Sequence, residues 1–172
     1  MWILIALGGA LALYILFFFL VLFIISKFNK RLRKRLSALS LLLAQRKDIA
    51  ISLYNLLLDQ KIAIPTALKN EAQALINTEV GVLGNHEIID FLPRLERDTK
   101  DIIEAIDGSR KLKKDGSVVA QLKKEIAELD ESRRQHIAIY NSDINGYNYW
   151  IRLMAYRYLL ILFRYREKKR IE

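Results

Sequence analysis

Two histidines, His86 and His136, and 19 acidic residues are the side chains that could hold a metal or move a proton. The chain has no cysteine, which excludes a thiol nucleophile, a thiolate zinc site and a disulfide framework. Di-iron carboxylate bundles need inward glutamates and a Glu-x-x-His spacing on two helices, and no Glu-x-x-His occurs. Glu87-x-x-Asp90 places two carboxylates on one turn beside His86, the nearest approach to a cation site. Acidic groups are favoured near a helix start by the helix dipole, so a solvated helix start explains this group better. No phosphate-cradling glycine loop and no Gly-x-Ser-x-Gly elbow is present. These residues point away from an enzyme, and no catalytic residue, metal or cofactor is expected.

The remaining chemistry belongs to cations. The 172 residues carry a net charge of +9, with 28 Lys and Arg against 19 Asp and Glu. The excess sits in two places. Lys27 to Leu36 holds six basic residues and no acidic one, and Arg152 to Glu172 holds seven basic and two acidic residues. Ser37 to Ile151 is near neutral, with 15 basic and 17 acidic residues. Lys27, Lys30, Arg31, Arg33, Lys34 and Arg35 form the first cluster, and Lys168, Lys169 and Arg170 end the second. Basic clusters beside a membrane attract anionic lipid headgroups, each charge adding about 1 kcal/mol. Arginine interleaved with tyrosine can also bind single-stranded nucleic acid by stacking. No nucleic-acid motif accompanies these residues and an apolar run adjoins the first cluster, so lipid is the nearer polyanion.

That apolar run must position the first cluster. Met1 to Ser26 carries no charge, and the 24 residues from Trp2 to Ile25 are apolar apart from the Tyr14 hydroxyl. About 20 apolar residues suffice to cross the hydrocarbon core as a helix. A cleaved signal peptide fits less well: no basic segment precedes the run, it is too long, and no Ala-x-Ala site follows. The expectation is a retained single-pass transmembrane anchor over 1–26. By the positive-inside rule, the 27–172 domain is cytoplasmic and the N-terminus lies outside.

Beyond the anchor, helical spacing is continuous and strand alternation is absent. Leu36, Leu39, Leu43, Ala50, Leu53 and Leu57 share one face of a helix expected over 27–63, stopped by Ile64-Pro65. A second helix over 65–81 turns Leu68, Ala72, Leu75 and Ile76 inward. A third, over 86–107 with Asn85 as cap, carries Ile88, Leu92, Leu95, Thr99, Ile102 and Ile106, with Pro93 inside its stripe. The last, capped by Ser117 and expected over 117–166, carries a stripe from Val119 through Arg133, Tyr140 and Ile151 to Tyr158 and Ile161. The expected fold is all-α: the anchor, then an antiparallel up-down-up-down four-helix bundle with long first and last helices. That topology returns both basic ends to one membrane surface.

The end of the last helix is rich in aromatics: Tyr147, Tyr149, Trp150, Tyr156, Tyr158 and Tyr165. Arg152, Arg157 and Arg164 argue against a second span, since each would cost about 2.5–3.5 kcal/mol at mid-bilayer. Trp150, Ile151, Met154, Tyr158, Ile161, Leu162 and Tyr165 are the candidate oligomer-forming or interfacial residues.

Two Tyr-Asn pairs, Tyr140-Asn141 and Tyr147-Asn148, lie seven residues apart. With Phe28-Asn29 after the anchor and the basic-basic-Asp stretch Arg46-Lys47-Asp48, this layout resembles the LemA family of membrane-anchored helical bundles. Departures are Ile51 and Ser52 where the family has proline and asparagine, and Trp150-Ile151 after the second pair. The resemblance implies a four-helix domain on one N-terminal anchor, facing the bacterial cytoplasm, with no agreed enzymatic activity. An asparagine beside each tyrosine also has a structural use, because its amide can satisfy backbone groups and set helix register.

The function expected from these features is a non-enzymatic membrane scaffold that self-associates through its anchor and the aromatic, basic end of its last helix. The alternative is a monomeric adaptor that docks a protein partner, or senses or shapes the bilayer.

Overall fold

A computed structural model describes residues 1–81, 83–109, 116–153 and 156–171. The described residues form helices and no strand. In chain order these are α1 (Trp2–Asp59), α2 (Thr66–Asn77), α3 (Asn85–Gly108), α4 (Gly116–Ile151) and α5 (Arg157–Leu162).

Helix ends follow local hydrogen-bond chemistry. α1 stops at Asp59, short of the expected 63, because Lys61 takes a left-handed φ of 50°. The Lys61 and Ile62 amides then donate to the Leu58 and Leu57 carbonyls at 2.9 and 3.2 Å, closing the last turn before Pro65 is reached. α2 starts after Pro65 and ends at Asn77, ahead of Gly81. Lys47 Nζ donates to the Ile76 carbonyl at 3.4 Å and to that of Thr78, at the negative end of α2. α3 includes Asn85, the expected cap. Gly84 flanks it instead, donating its amide to the Glu87 carboxylate at 2.6 Å. Pro93 lies inside α3, and Ser117, the other expected cap, lies inside α4.

The chain divides into two compact units. In the unit built on residues 36–138, the core is the set of 3-4 spaced apolar side chains. Leu36, Leu39, Leu43, Ala50, Leu53 and Leu57 of α1 are buried, as are Leu68, Ala72 and Leu75 of α2. Ile88, Leu92, Leu95, Ile102 and Ile106 of α3 and Val119 and Ile126 of α4 complete it. Ile76, expected inward, is exposed.

The other unit combines residues 1–35 with 139–170. Val21, Ile25 and Leu32 of α1 are buried, together with Tyr140, Ile144, Tyr147 and Ile151 of α4 and Tyr156 and Leu160 beyond it. The stretch expected as one helix over 117–166 is instead α4 and the six-residue α5, with Arg152 and Leu153 outside either helix. No glycine or proline marks this break. Its cause is tertiary: Asn148 is paired with the backbone of Lys168. An unbroken helix would hold those residues roughly 30 Å apart. The break also rephases the buried face, so Tyr156 and Leu160 are buried while Tyr158 and Ile161, on the expected stripe, are exposed.

Among the described residues, α1 is the one helix long and apolar enough to cross a membrane. Its described side chains from Met1 to Leu20 are exposed, except half-buried Phe18.

Candidate functional site

Lys168 is the centre of a polar cluster that gathers residues from three distant parts of the chain. Asn148, near the end of α4, donates from Nδ2 to the Lys168 carbonyl at 2.9 Å and accepts the Lys168 amide on Oδ1 at 2.9 Å. A side-chain amide meets a backbone amide on both edges, so the last residues are held as a strand would hold a neighbour. The Lys168 ammonium then donates to Asn29 Oδ1 of α1 at 3.0 Å and lies 5.4 Å from the centre of the Tyr147 ring. Burial, and next the charge of Arg33, lower the pKa of this ammonium. Burial, and next Tyr165, push the Tyr147 hydroxyl up to about 12, so it stays protonated at neutral pH.

Around this centre the fit is close. Gly146 faces the Phe28 ring, Arg35 Nε lies 4.0 Å from Asp143, and Arg152 donates to Glu167 at 2.8 Å. The Arg170 guanidinium donates from two nitrogens to Asn145 Oδ1, at 3.1 and 2.6 Å. Increasing numbers on α4 meet decreasing numbers on α1, so in this unit the two run in opposite directions.

No protein-family model, curated protein or solved structure matches this chain. Its function has to be read from its own geometry.

The expected site residues distribute as follows. Of the headgroup set, Lys27, Lys30, Arg31, Arg33, Lys34, Lys169 and Arg170 are exposed or half-buried. Arg35 is half-buried beside Asp143, and Lys168 is turned inward. Of the interfacial set, Tyr158, Ile161 and Leu162 are exposed, Trp150 and Tyr165 half-buried and Ile151 buried. Met154 lies outside the described residues. Of the aromatic-Asn motif residues, Phe28, Asn29, Tyr147 and Asn148 meet around Gly146 and Lys168, and Tyr140 is buried in the same unit. Asp48 belongs to the other unit and is exposed.

Three features are not evident from the sequence pattern. One is Tyr156, whose ring meets Tyr14, Phe17 and Phe18 of α1 with centroids 4.9, 5.7 and 5.6 Å away. The second is the inward role of Lys168. The third is the close approach of the Phe28 ring to Gly146; the glycine stands out in the stripe only as a residue that costs about 1 kcal/mol in a helix.

The 36–138 unit carries its own charge cluster. Arg46 of α1 pairs with Asp130 of α4, and Arg133 pairs with Glu96 of α3 and lies 3.6 Å from Asp130. Both arginines are buried, and their presence within apolar stripes is explained by these partners. Burial, then the charge of Arg133, lowers the Arg46 pKa to about 10. Asp98 is also buried, and burial raises its pKa against the opposing charges of Arg97 and Arg94. A groove of about 440 Å³ between α1 and α4 has Leu42, Ile49 and Leu129 in its wall beside Asp48, Glu125 and Glu128. His136 Nδ1 lies 2.8 Å from the Ser132 carbonyl, so that nitrogen carries a proton. His86 is exposed. Among the described residues, no three His, Cys, Asp or Glu side chains could hold a metal.

Proposed function

We propose that this chain is a non-enzymatic, membrane-anchored helical scaffold whose copies associate through the anchor. One observation carries the reading. A single helix, Trp2–Asp59, supplies both an apolar run with exposed side chains and a core face of the 36–138 unit. Water does not tolerate that apolar length, and a bilayer requires it. The basic cluster after Ser26 orients the helix, placing the 27–172 part in the cytoplasm. The cations from Lys27 to Lys34 then meet anionic headgroups. Small residues let membrane helices approach closely, and Gly8 and Gly9 have open space around them.

The helices fold as an up-down-up-down bundle in this reading, and the chain is a diverged member of the LemA family in the bacterial inner membrane. What supports the family reading is that Phe28, Asn29, Tyr147 and Asn148, the residues of the resemblance, converge on Gly146 and Lys168. A second reading, a monomeric adaptor working at the bilayer, is favoured by Tyr156. It holds the aromatic end on the chain's own anchor instead of presenting it to another copy.

The test is the mass of the full chain in mild detergent, corrected for bound detergent, beside a Gly8→Leu/Gly9→Leu variant. A defined oligomer that falls to monomer in the variant supports the scaffold. A monomer in both samples replaces it with the adaptor.

A further inference from the structure

We propose that α5, with Tyr156 and Phe163 that flank it, inserts into one leaflet of the bilayer, the leaflet that meets the Lys27–Arg35 cluster, as a half-depth hairpin against the anchor. The inference rests on the reading that α1 crosses a membrane, and it adds a second, non-spanning contact with lipid.

Tyr156 packs on Tyr14, Phe17 and Phe18, donates its hydroxyl to the Tyr14 carbonyl at 3.4 Å, and Phe163 lies 6.1 Å from Phe18 between ring centres. These partners sit within the apolar run that ends at Ile25. At about 1.5 Å per residue, Phe18 lies about 10 Å and Tyr14 about 16 Å along the helix from that end. The run exceeds a hydrocarbon core by about 6 Å, so even with all the excess on this side both partners lie below the hydrocarbon surface. A segment stacked on them lies in the leaflet too.

The surface of the segment suits that medium. Tyr158 is 85% exposed, Leu162 76% and Phe163 56%, a contiguous apolar surface that water would penalise. Non-helical backbone is tolerated at membrane depth only when its polar groups are satisfied. Here the Tyr156 and Arg157 amides both donate to the Leu153 carbonyl, at 3.0 and 3.1 Å. At the other end the Arg164 and Tyr165 amides donate to Ile161 and Leu160, both at 2.9 Å, with Arg164 in a left-handed turn. The charges fit an interface. Arg152 is neutralised by Glu167 at the neck, and Arg157 and Arg164 bracket α5 with stems long enough to return their charge to the headgroups. The Asn148–Lys168 pairing ties the two legs of the hairpin together at its base. The unbalanced arginines favour an anionic leaflet.

The absence of cysteine makes the test direct. The full chain, carrying Leu162→Cys, Leu11→Cys or Glu128→Cys singly with an environment-sensitive fluorophore, is reconstituted in phosphatidylcholine–phosphatidylglycerol vesicles. Each sample is quenched separately with acyl-brominated lipid and with aqueous iodide. Lipid quenching of the Leu11 and Leu162 probes, with strong iodide quenching confined to Glu128, is the expected result. Iodide quenching at position 162 equal to that at 128, with position 11 still lipid-quenched, overturns the hairpin and leaves the anchor standing. Iodide access at position 11 overturns the anchor and the hairpin together. A probe at position 162 shielded from both quenchers is covered by another protein surface, which also overturns the proposal. Adding Tyr156→Ala to Leu162→Cys should restore iodide quenching at 162 without affecting 11, and no change would overturn the anchor-held geometry.

Discussion

The ring of Phe28 fills the space that a side chain at position 146 would need. A Cβ on Gly146 would lie 2.8 Å from Phe28 Cζ and 2.9 Å from Cε1, closer than carbon atoms approach without displacement. The glycine therefore allows α4 to lie against α1 at this level, and both residues flank the Lys168 cluster.

Gly146→Ala tests that contact. Alanine gains about 1 kcal/mol of helix propensity over glycine. Overpacking against a held ring costs about 1–3 kcal/mol, so the net change should be destabilising. In a Phe28→Ala background the same substitution should stabilise. Thermal unfolding of the four chains in detergent gives the sign of the coupling, and simple additivity would show that the ring does not constrain position 146.

Asn148→Ala removes both hydrogen bonds to the Lys168 backbone. The expected loss is about 1–2 kcal/mol, at about 1 kcal/mol for each bond. Hydrogen exchange at the Lys168 amide should accelerate, whereas Asn148→Asp, which keeps the acceptor, should protect that amide partly. Unaltered exchange in Asn148→Ala would remove the pairing from the account of why the chain turns back.

Arg46→Met leaves the Asp130 carboxylate with Arg133 alone, at 3.6 Å. Asp130 is half-buried and still faces Arg133, so the expected loss is about 1–3 kcal/mol, the cost of a weakly satisfied buried polar group, and part of it is recovered when both partners become apolar. Urea unfolding should therefore rank Arg46→Met below the double variant Arg46→Met/Asp130→Leu. Equal stabilities would mean that the pair is solvated.

Asp98 sets a pH dependence with a definite sign. Burial raises its pKa in the folded chain, so between the ordinary carboxylate value of 3.8 and the raised value the folded state binds more proton than the unfolded state. Its contribution is fully favourable below 3.8 and is lost as pH rises through the folded value. Asp98→Asn should be more stable than the parent at neutral pH and should flatten this part of the profile. Urea midpoints measured across that range, showing parent and variant in parallel, would contradict the assignment.

Much of the fold is legible in the amino-acid order. Spacing alone marks the positions from Leu36 to Leu57 and from Ile88 to Ile106 as core, and they are buried, because amphipathic periodicity is a property of each helix by itself. The apolar run ahead of Lys27 is equally plain, since hydrophobic length is local. The site is legible only in parts. Phe28, Asn29, Tyr147 and Asn148 stand out by type and spacing, but nothing in their order shows that Lys168 joins them.

The amino-acid order thus determined the helical class, the apolar run, an inward stripe as far as Ile151 in which Leu122, Leu129 and Ile137 are half-buried, and the basic character of both ends. Tertiary structure alone decided that α4 stops at Ile151 and that Tyr156, rather than Tyr158, packs against α1. It also decided that Lys168 points at Asn29. The physical reason is range. Helix periodicity is written in residues three and four apart, whereas the Asn148–Lys168 pairing joins residues 20 apart and the Tyr14–Tyr156 contact joins residues 142 apart. Contacts of that separation form only when the chain folds back, and here they override a local sequence that would otherwise continue as helix.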